Sequence, residues 1–198
     1  MSDQMRIQMI ISGVGGQGVL FATRIFSTMA LREGYSLIGS ETHGMSQRGG
    51  SVITHLKIGE FDSPLVRKGS ADVLFALERN EAYKTLSFAK QAIDDDPGGL
   101  CFVNAPDPGF MDRRIQDYLR ERNIEVHVFP AERLAQTMGS LRSANIALIG
   151  FACGHTRLPF SHRKIRTAIE TIAPPRFQET TLKIFDKSLV EGQRLLGT

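Results

Sequence analysis

The sequence predicts an α/β fold built on a mostly parallel sheet, with flanking helices and a helical C-terminal region, and three observations carry that prediction. A short, partly branched apolar run, Arg6–Ser12, stops at glycine and gives way to apolar residues at helical spacing. Strand-like and helix-like segments then alternate as far as Phe129, the pattern of a parallel sheet with crossover helices. After Pro130 the remaining segments are all helical. With 198 residues and 41% hydrophobic content, a single domain spanning 1–198 is expected.

Each element has a local reason. Leu20, Ile25, Met29 and Leu31 give helical periodicity between Gln17 and Arg32, and Gly34 stands where a C-terminal cap would. Tyr35–Gly39 follows as a strand, so that residues 6–39 have the length of a right-handed parallel crossover. Ser40–Gly50 is polar, glycine-rich and aperiodic, and is expected to be a long loop. Ser51–Ile58 alternates with Val52, Thr54, Leu56 and Ile58 on one face, as a hairpin or edge strand would. Asp72–Leu77 is a buried-type strand leading into a helix over Asn80–Gln91, and Asp94-Asp95-Asp96-Pro97-Gly98-Gly99 is a solvated turn. Leu100–Asn104 and Ile124–Phe129 are strands around a helix at Met111–Arg122. Four helices finish the chain, over Glu132–Met138, Ala144–His155, His162–Ile172 with Ser161 as its N-cap, and Gln178–Leu196.

Bulk properties exclude several classes of function. Basic and acidic residues number 24 and 21, and the cations are scattered, so neither a nucleic-acid nor a membrane partner is indicated. The two cysteines, Cys101 and Cys153, lie apart in apolar stretches; an iron–sulfur cluster usually takes four such ligands, so any cluster belongs to another subunit. The N-terminus turns directly into a strand without a signal-peptide core, and no segment approaches a membrane span, so the cytoplasm is the expected location. No catalytic residue and no metal ligand set is read in this chain; His155, on an apolar helix, reads as a packing histidine.

The chemistry lies in two segments. Gly13, Gly15 and Gly18 satisfy G-x-G-x-x-G between a strand and a helix, the Rossmann-like context in which the missing Cβ atoms permit a tight turn and a helix N-terminus is offered to an anion. The acid that would bind a dinucleotide's ribose is poorly placed, because Glu41 comes 23 positions after Gly18, behind Gly39 and Ser40. The second segment sets Glu41, Thr42, His43, Ser46, Gln47 and Arg48 among Gly44, Gly49 and Gly50, a combination suited to approaching a ligand or a neighbouring protein.

Together, Gly13-Val14-Gly15-Gly16-Gln17-Gly18-Val19 and Glu41-Thr42-His43-Gly44-Met45-Ser46-Gln47-Arg48-Gly49-Gly50-Ser51-Val52 resemble the gamma subunit of 2-oxoacid:ferredoxin oxidoreductases, of the pyruvate, ketoisovalerate, 2-oxoglutarate and indolepyruvate types. The resemblance continues through Ala71–Glu78, a strand ending in a glutamate, and Ser143–Gly150, a helix carrying Asn145. It implies an assembly that oxidatively decarboxylates a 2-oxoacid with coenzyme A to an acyl-CoA and CO2 and passes electrons to ferredoxin. Thiamine diphosphate, Mg2+ and [4Fe-4S] clusters would lie on partner subunits, since this chain has neither a Gly-Asp-Gly motif nor four cluster cysteines. The chain alone would be inactive. The residues expected to face a ligand or the assembled active site are Gly13, Gly15, Gly16, Gln17, Gly18, the run Glu41–Gly50 and Asn145.

Two other readings stay open. One is an autonomous nicotinamide- or nucleotide-binding Rossmann oxidoreductase, although no Tyr-x-x-x-Lys pair accompanies the turn. The other is a scaffold whose glycine turn holds nothing.

Overall fold

The computed structural model describes residues 5–44 and 49–197. Six strands form one mixed sheet: β1 (Ile7–Val14), β2 (Leu37–His43), β3 (Ser51–Ile58), β4 (Val73–Ala76), β5 (Leu100–Asn104) and β6 (Glu125–Phe129). Their spatial order is β2-β3-β1-β4-β5-β6. The pairs β1–β4, β4–β5 and β5–β6 are parallel, whereas β3 is antiparallel to both β1 and β2. The helices are α1 (Val19–Arg32), α2 (Arg79–Thr85), α3 (Arg113–Glu121), α4 (Ala131–Thr137), α5 (Ala144–Ala152), α6 (His162–Ile172) and α7 (Pro175–Leu196).

Central strands of a parallel sheet are covered on both faces, and their composition follows: every residue of β4 (VLFA) and β5 (LCFVN) is buried. Period-two alternation then divides β1 between two cores. Met9 and Ile11 join residues of α1, α5, α6 and α7 in one core, while Ile10 meets Ala82, Leu86 and Leu119 in the other. Helix α5 is apolar all round, and Asn145–Ala152 are all buried, as expected of a helix enclosed by its neighbours. It crosses α7 at backbone contact distance: a Cβ built on Gly150 would lie 2.6 Å from the Phe185 carbonyl oxygen.

The structure corrects four expectations. First, β1 and β2 do not form a neighbouring parallel pair, because β3 lies between them. Second, of the hairpin and edge readings of β3 the hairpin holds and the edge does not: β3 pairs with both β1 and β2, and β2 takes the edge. Third, Ser40–His43 extend β2 instead of beginning a loop, since Ser40, Glu41, Thr42 and His43 pair with His55, Thr54, Ile53 and Val52. Their polarity marks an exposed edge strand. Fourth, α2 ends at Thr85, short of Gln91. After a 3-10 turn at Leu86–Phe88, the chain leaves to pair with Ala71, whose N–H donates to the Phe88 carbonyl while Lys90 N–H donates to the Ala71 carbonyl. Ser161 stands at the N-cap of α6 but makes no side-chain capping bond.

Candidate functional site

The glycine turn sits at the carboxyl end of β1, next to the carboxyl ends of β4 and β5. Its glycines have different reasons. Gly16 (φ +99°) and Gly18 (φ +80°) occupy left-handed backbone. Gly13 permits strand–helix contact: a Cβ there would lie 2.9 Å from Val19 Cγ2 and 3.1 Å from Leu77 Cβ. Gln17 closes the turn on itself, its N–H donating to the Val14 carbonyl (3.0 Å) and its Oε1 accepting from Val14 N–H (2.8 Å). Among the described residues no side chain caps α1, and no acidic residue lies in its first turn. The amides that a helix leaves over at its N-terminus therefore stay available to an anion.

The two sequence motifs meet here. Gly15 N–H donates to the Gly50 carbonyl (2.9 Å), and Gly44 N–H donates to the Ser51 carbonyl (2.7 Å), so the segment between β2 and β3 is pinned at both ends beside the turn. Beneath it, Ser51 Oγ donates to Glu81 Oε2, and Glu81, nearly enclosed on α2, is paired with Lys84 at 2.6 Å. Thr85 of the same helix meets Ser12 of β1 across 3.1 Å. Asn145, 3% exposed at the start of α5, donates from Nδ2 to the Gly18 carbonyl (3.0 Å) and accepts at Oδ1 from Ile146 N–H (2.8 Å). Asn145 thus braces the turn, and its polar atoms are engaged within the protein. Met45, Ser46, Gln47 and Arg48 lie outside the described residues.

Two hollows flank the turn. One, of about 560 Å³, is lined by Gly15, Gly16, Gly18, Leu20, Arg24 and His43, and joins three of the glycines to the end of β2. The other, of about 620 Å³, lies over the carboxyl ends of β4, β5 and β6 between Gln17, Glu78, Arg79, Asn104, Arg133 and Gln136. Ligands of open α/β sheets bind at this edge of the strands. Glu41 and Thr42 are exposed on the edge strand, and β3 separates that strand from β1. The ribose-binding acid of a dinucleotide site normally stands on the strand adjacent to the glycine turn. The antiparallel β3 occupies that place, and so the nicotinamide reading loses its geometry.

Sequence reasoning missed Arg24, Arg79, Asn104 and Arg133. Asn104 had a readable signal, a polar residue ending an otherwise apolar strand. It ties the carboxyl ends of β4 and β5 to α4, donating to the Leu77 carbonyl (3.0 Å) and accepting from Glu132 N–H (3.1 Å). The three arginines carried none, because they are exposed helix residues brought to the hollows by the fold alone. Glu78, the glutamate after β4, caps α2 by accepting from the N–H groups of Asn80 (2.7 Å) and Glu81 (3.2 Å). Cys101 and Cys153 are buried in the two separate cores, where desolvation pushes both thiols up.

Comparison with known proteins bears on this arrangement directly. The family model for pyruvate ferredoxin/flavodoxin oxidoreductase matches residues 8–189. The indolepyruvate oxidoreductase subunit IorB of Thermococcus kodakarensis is 33% identical over 201 residues, covering 95% of this chain and 96% of its own. The 2-oxoglutarate synthase subunit KorC of Methanothermobacter marburgensis is 31% identical over 197 residues, covering 96% and 100%. The solved gamma subunit of a keto/oxoacid ferredoxin oxidoreductase from Geobacter sulfurreducens superposes with a TM-score of 0.72 at 21% identity, over 95% of this chain and 99% of that one. The chain therefore belongs to the pyruvate ferredoxin/flavodoxin oxidoreductase family, as a gamma-type subunit of 2-oxoacid:ferredoxin oxidoreductase complexes.

Proposed function

We propose that this subunit presents its glycine turn and the Glu41–Gly50 segment to the reaction centre of a 2-oxoacid:ferredoxin oxidoreductase whose organic cofactor and clusters are held by partner subunits. The reaction converts a 2-oxoacid anion and coenzyme A thiol to an acyl-CoA thioester and CO2, releasing one proton and two electrons that pass to ferredoxin. Thiamine diphosphate with Mg2+ supplies the carbon–carbon cleavage and [4Fe-4S] clusters carry the electrons. This chain's two buried cysteines suit neither task. Relatives named for indolepyruvate favour an aromatic 2-oxoacid as substrate, and those named for 2-oxoglutarate make that acid the second reading.

The observation that carries the proposal is the Gly15–Gly50 hydrogen bond, which joins the two motifs into one surface at the carboxyl end of the sheet. On that surface the turn offers backbone N–H groups to the phosphates of coenzyme A or to a carboxylate, and His43 contributes a hydrogen-bonding ring; Arg48, two positions before Gly50 in the sequence, would add a positive charge. Reconstitution tests it. Purified partner subunits with this chain should reduce ferredoxin in a manner dependent on 2-oxoacid and coenzyme A, and R48A should raise the KM for coenzyme A or for the 2-oxoacid. Equal activity of the partners without this chain would overturn the proposal. Micromolar binding of NAD or NADP to the isolated chain would return the autonomous reading to favour.

A further inference from the structure

At the opposite end of the sheet from the glycine turn, three side chains converge without a role in the chemistry above. Glu125 and His127 are two apart on β6 and so share one face, the face that also carries Leu100 and Phe102 of β5. His155, three residues beyond the C-terminal end of α5, comes down on that face with its side chain only 8% exposed. Glu125 Oε2 lies 3.3 Å from His155 Nε2 and 3.4 Å from His127 Nε2, and one donor atom from each residue falls within 4.8 Å of the others. His127 Nε2 is enclosed and has no hydrogen-bond partner among the described residues, because its approach to Glu125 lacks the required alignment. Enclosed ring nitrogens are seldom left this way.

We propose that Glu125, His127 and His155 bind a divalent zinc ion that clasps the sheet edge β6 to the end of α5. Ligand atoms 2.0–2.2 Å from a tetrahedral zinc lie about 3.4 Å from one another. Two of the three separations already have that length. Two imidazoles and one carboxylate suit zinc, whereas calcium and magnesium call for oxygen ligands throughout. The metal needs both rings unprotonated, and burial, with His155 and Arg157 nearby, holds His127 below the ordinary imidazole range. Arg157 supplies the outer support: its guanidinium holds Glu125 Oε1 and donates to the Gly98 carbonyl (2.6 Å), which leaves Oε2 turned toward the rings. Glu125 is 42% exposed on an edge strand, so the ion has a path from solvent and a fourth position for water.

Coordination has one local consequence. His155 Nδ1 accepts from Arg157 N–H (3.1 Å), which places the proton of the neutral ring on Nε2. Binding zinc at Nε2 moves that proton to Nδ1, and the amide of the exposed Arg157 turns to water.

The test uses the full chain, stripped with chelator and titrated with Zn2+ by calorimetry and with Co2+ by visible absorption. One equivalent of each should bind, Co2+ should give the d–d bands of a four- or five-coordinate nitrogen–oxygen site, and Mg2+ and Ca2+ should give no heat. E125Q, H127Q and H155Q should each weaken zinc by more than about tenfold, and zinc should speed hydrogen exchange at the Arg157 amide. Glu125 is partly exposed and glutamine keeps its shape, so E125Q remains folded. Wild-type zinc affinity in E125Q, or in H127Q and H155Q, would overturn the site, as would the absence of zinc binding.

Discussion

Gly18→Ala tests whether the turn is held by Asn145. Gly18 has φ +80°, and a Cβ there would stand 2.4 Å from Asn145 Nδ2. Alanine in left-handed backbone costs about 1–2 kcal/mol. Asn145 must then swing aside and give up its 3.0 Å bond to the Gly18 carbonyl, a further loss of about 0.5–1.5 kcal/mol. The expected total is about 2–3 kcal/mol. With a urea m-value of about 2 kcal/mol/M, the unfolding midpoint falls by roughly 1–1.5 M. N145A removes the same bond and also frees the Ile146 N–H that Asn145 Oδ1 satisfies, at about 1–2 kcal/mol. Because N145A also removes the obstruction, G18A on that background should cost only the backbone term, and the double-mutant cycle should show a coupling of about 1 kcal/mol. A midpoint shift below about 0.3 M for G18A, or additivity within about 0.3–0.5 kcal/mol, would refute the reasoning.

His55 should make stability fall in acid. It is 7% exposed, and its Nδ1 accepts from Val66 N–H (3.1 Å); burial, with Lys57 nearby, holds its folded pKa below the usual value. The unfolded chain then binds the proton more readily, so stability present above about pH 6.5 is lost as pH falls through that value toward the folded pKa. H55N should flatten this part of a denaturation-versus-pH curve, and an unchanged slope would count against the assignment. Cys101 and Cys153 should resist a thiol reagent at pH 8 in the native protein and react fully in denaturant; prompt native labelling would contradict their burial. Gly192→Ala would bring a Cβ to 2.1 Å from the Phe151 carbonyl oxygen at the α5–α7 crossing, whereas Gly34→Ala meets open space at φ +78°. Thermal melts should show the first losing about 3 kcal/mol and the second about 1–2 kcal/mol; equal losses would mean that the crossing relaxes freely.

What the sequence determined by itself was local. The apolar runs of β4 and β5 and the helical periodicities of α1 and α6 placed these elements near their observed bounds, because burial on two faces or one leaves a periodic trace in the chain. The glycine-bearing motif after β1 likewise announced a tight turn, because positive φ and close backbone approach restrict residue type. The tertiary structure decided what no local pattern encodes. Insertion of β3 between β1 and β2 depends on which strand edges pair, and a strand reads the same in either direction. That single pairing removed Glu41 from the strand beside the turn and bonded Gly50 to Gly15. The same kind of long-range packing carried His155 onto the face of Glu125 and His127, although no sequence spacing links them, and brought Arg79 and Arg133 from separate helices to one hollow at the end of the sheet.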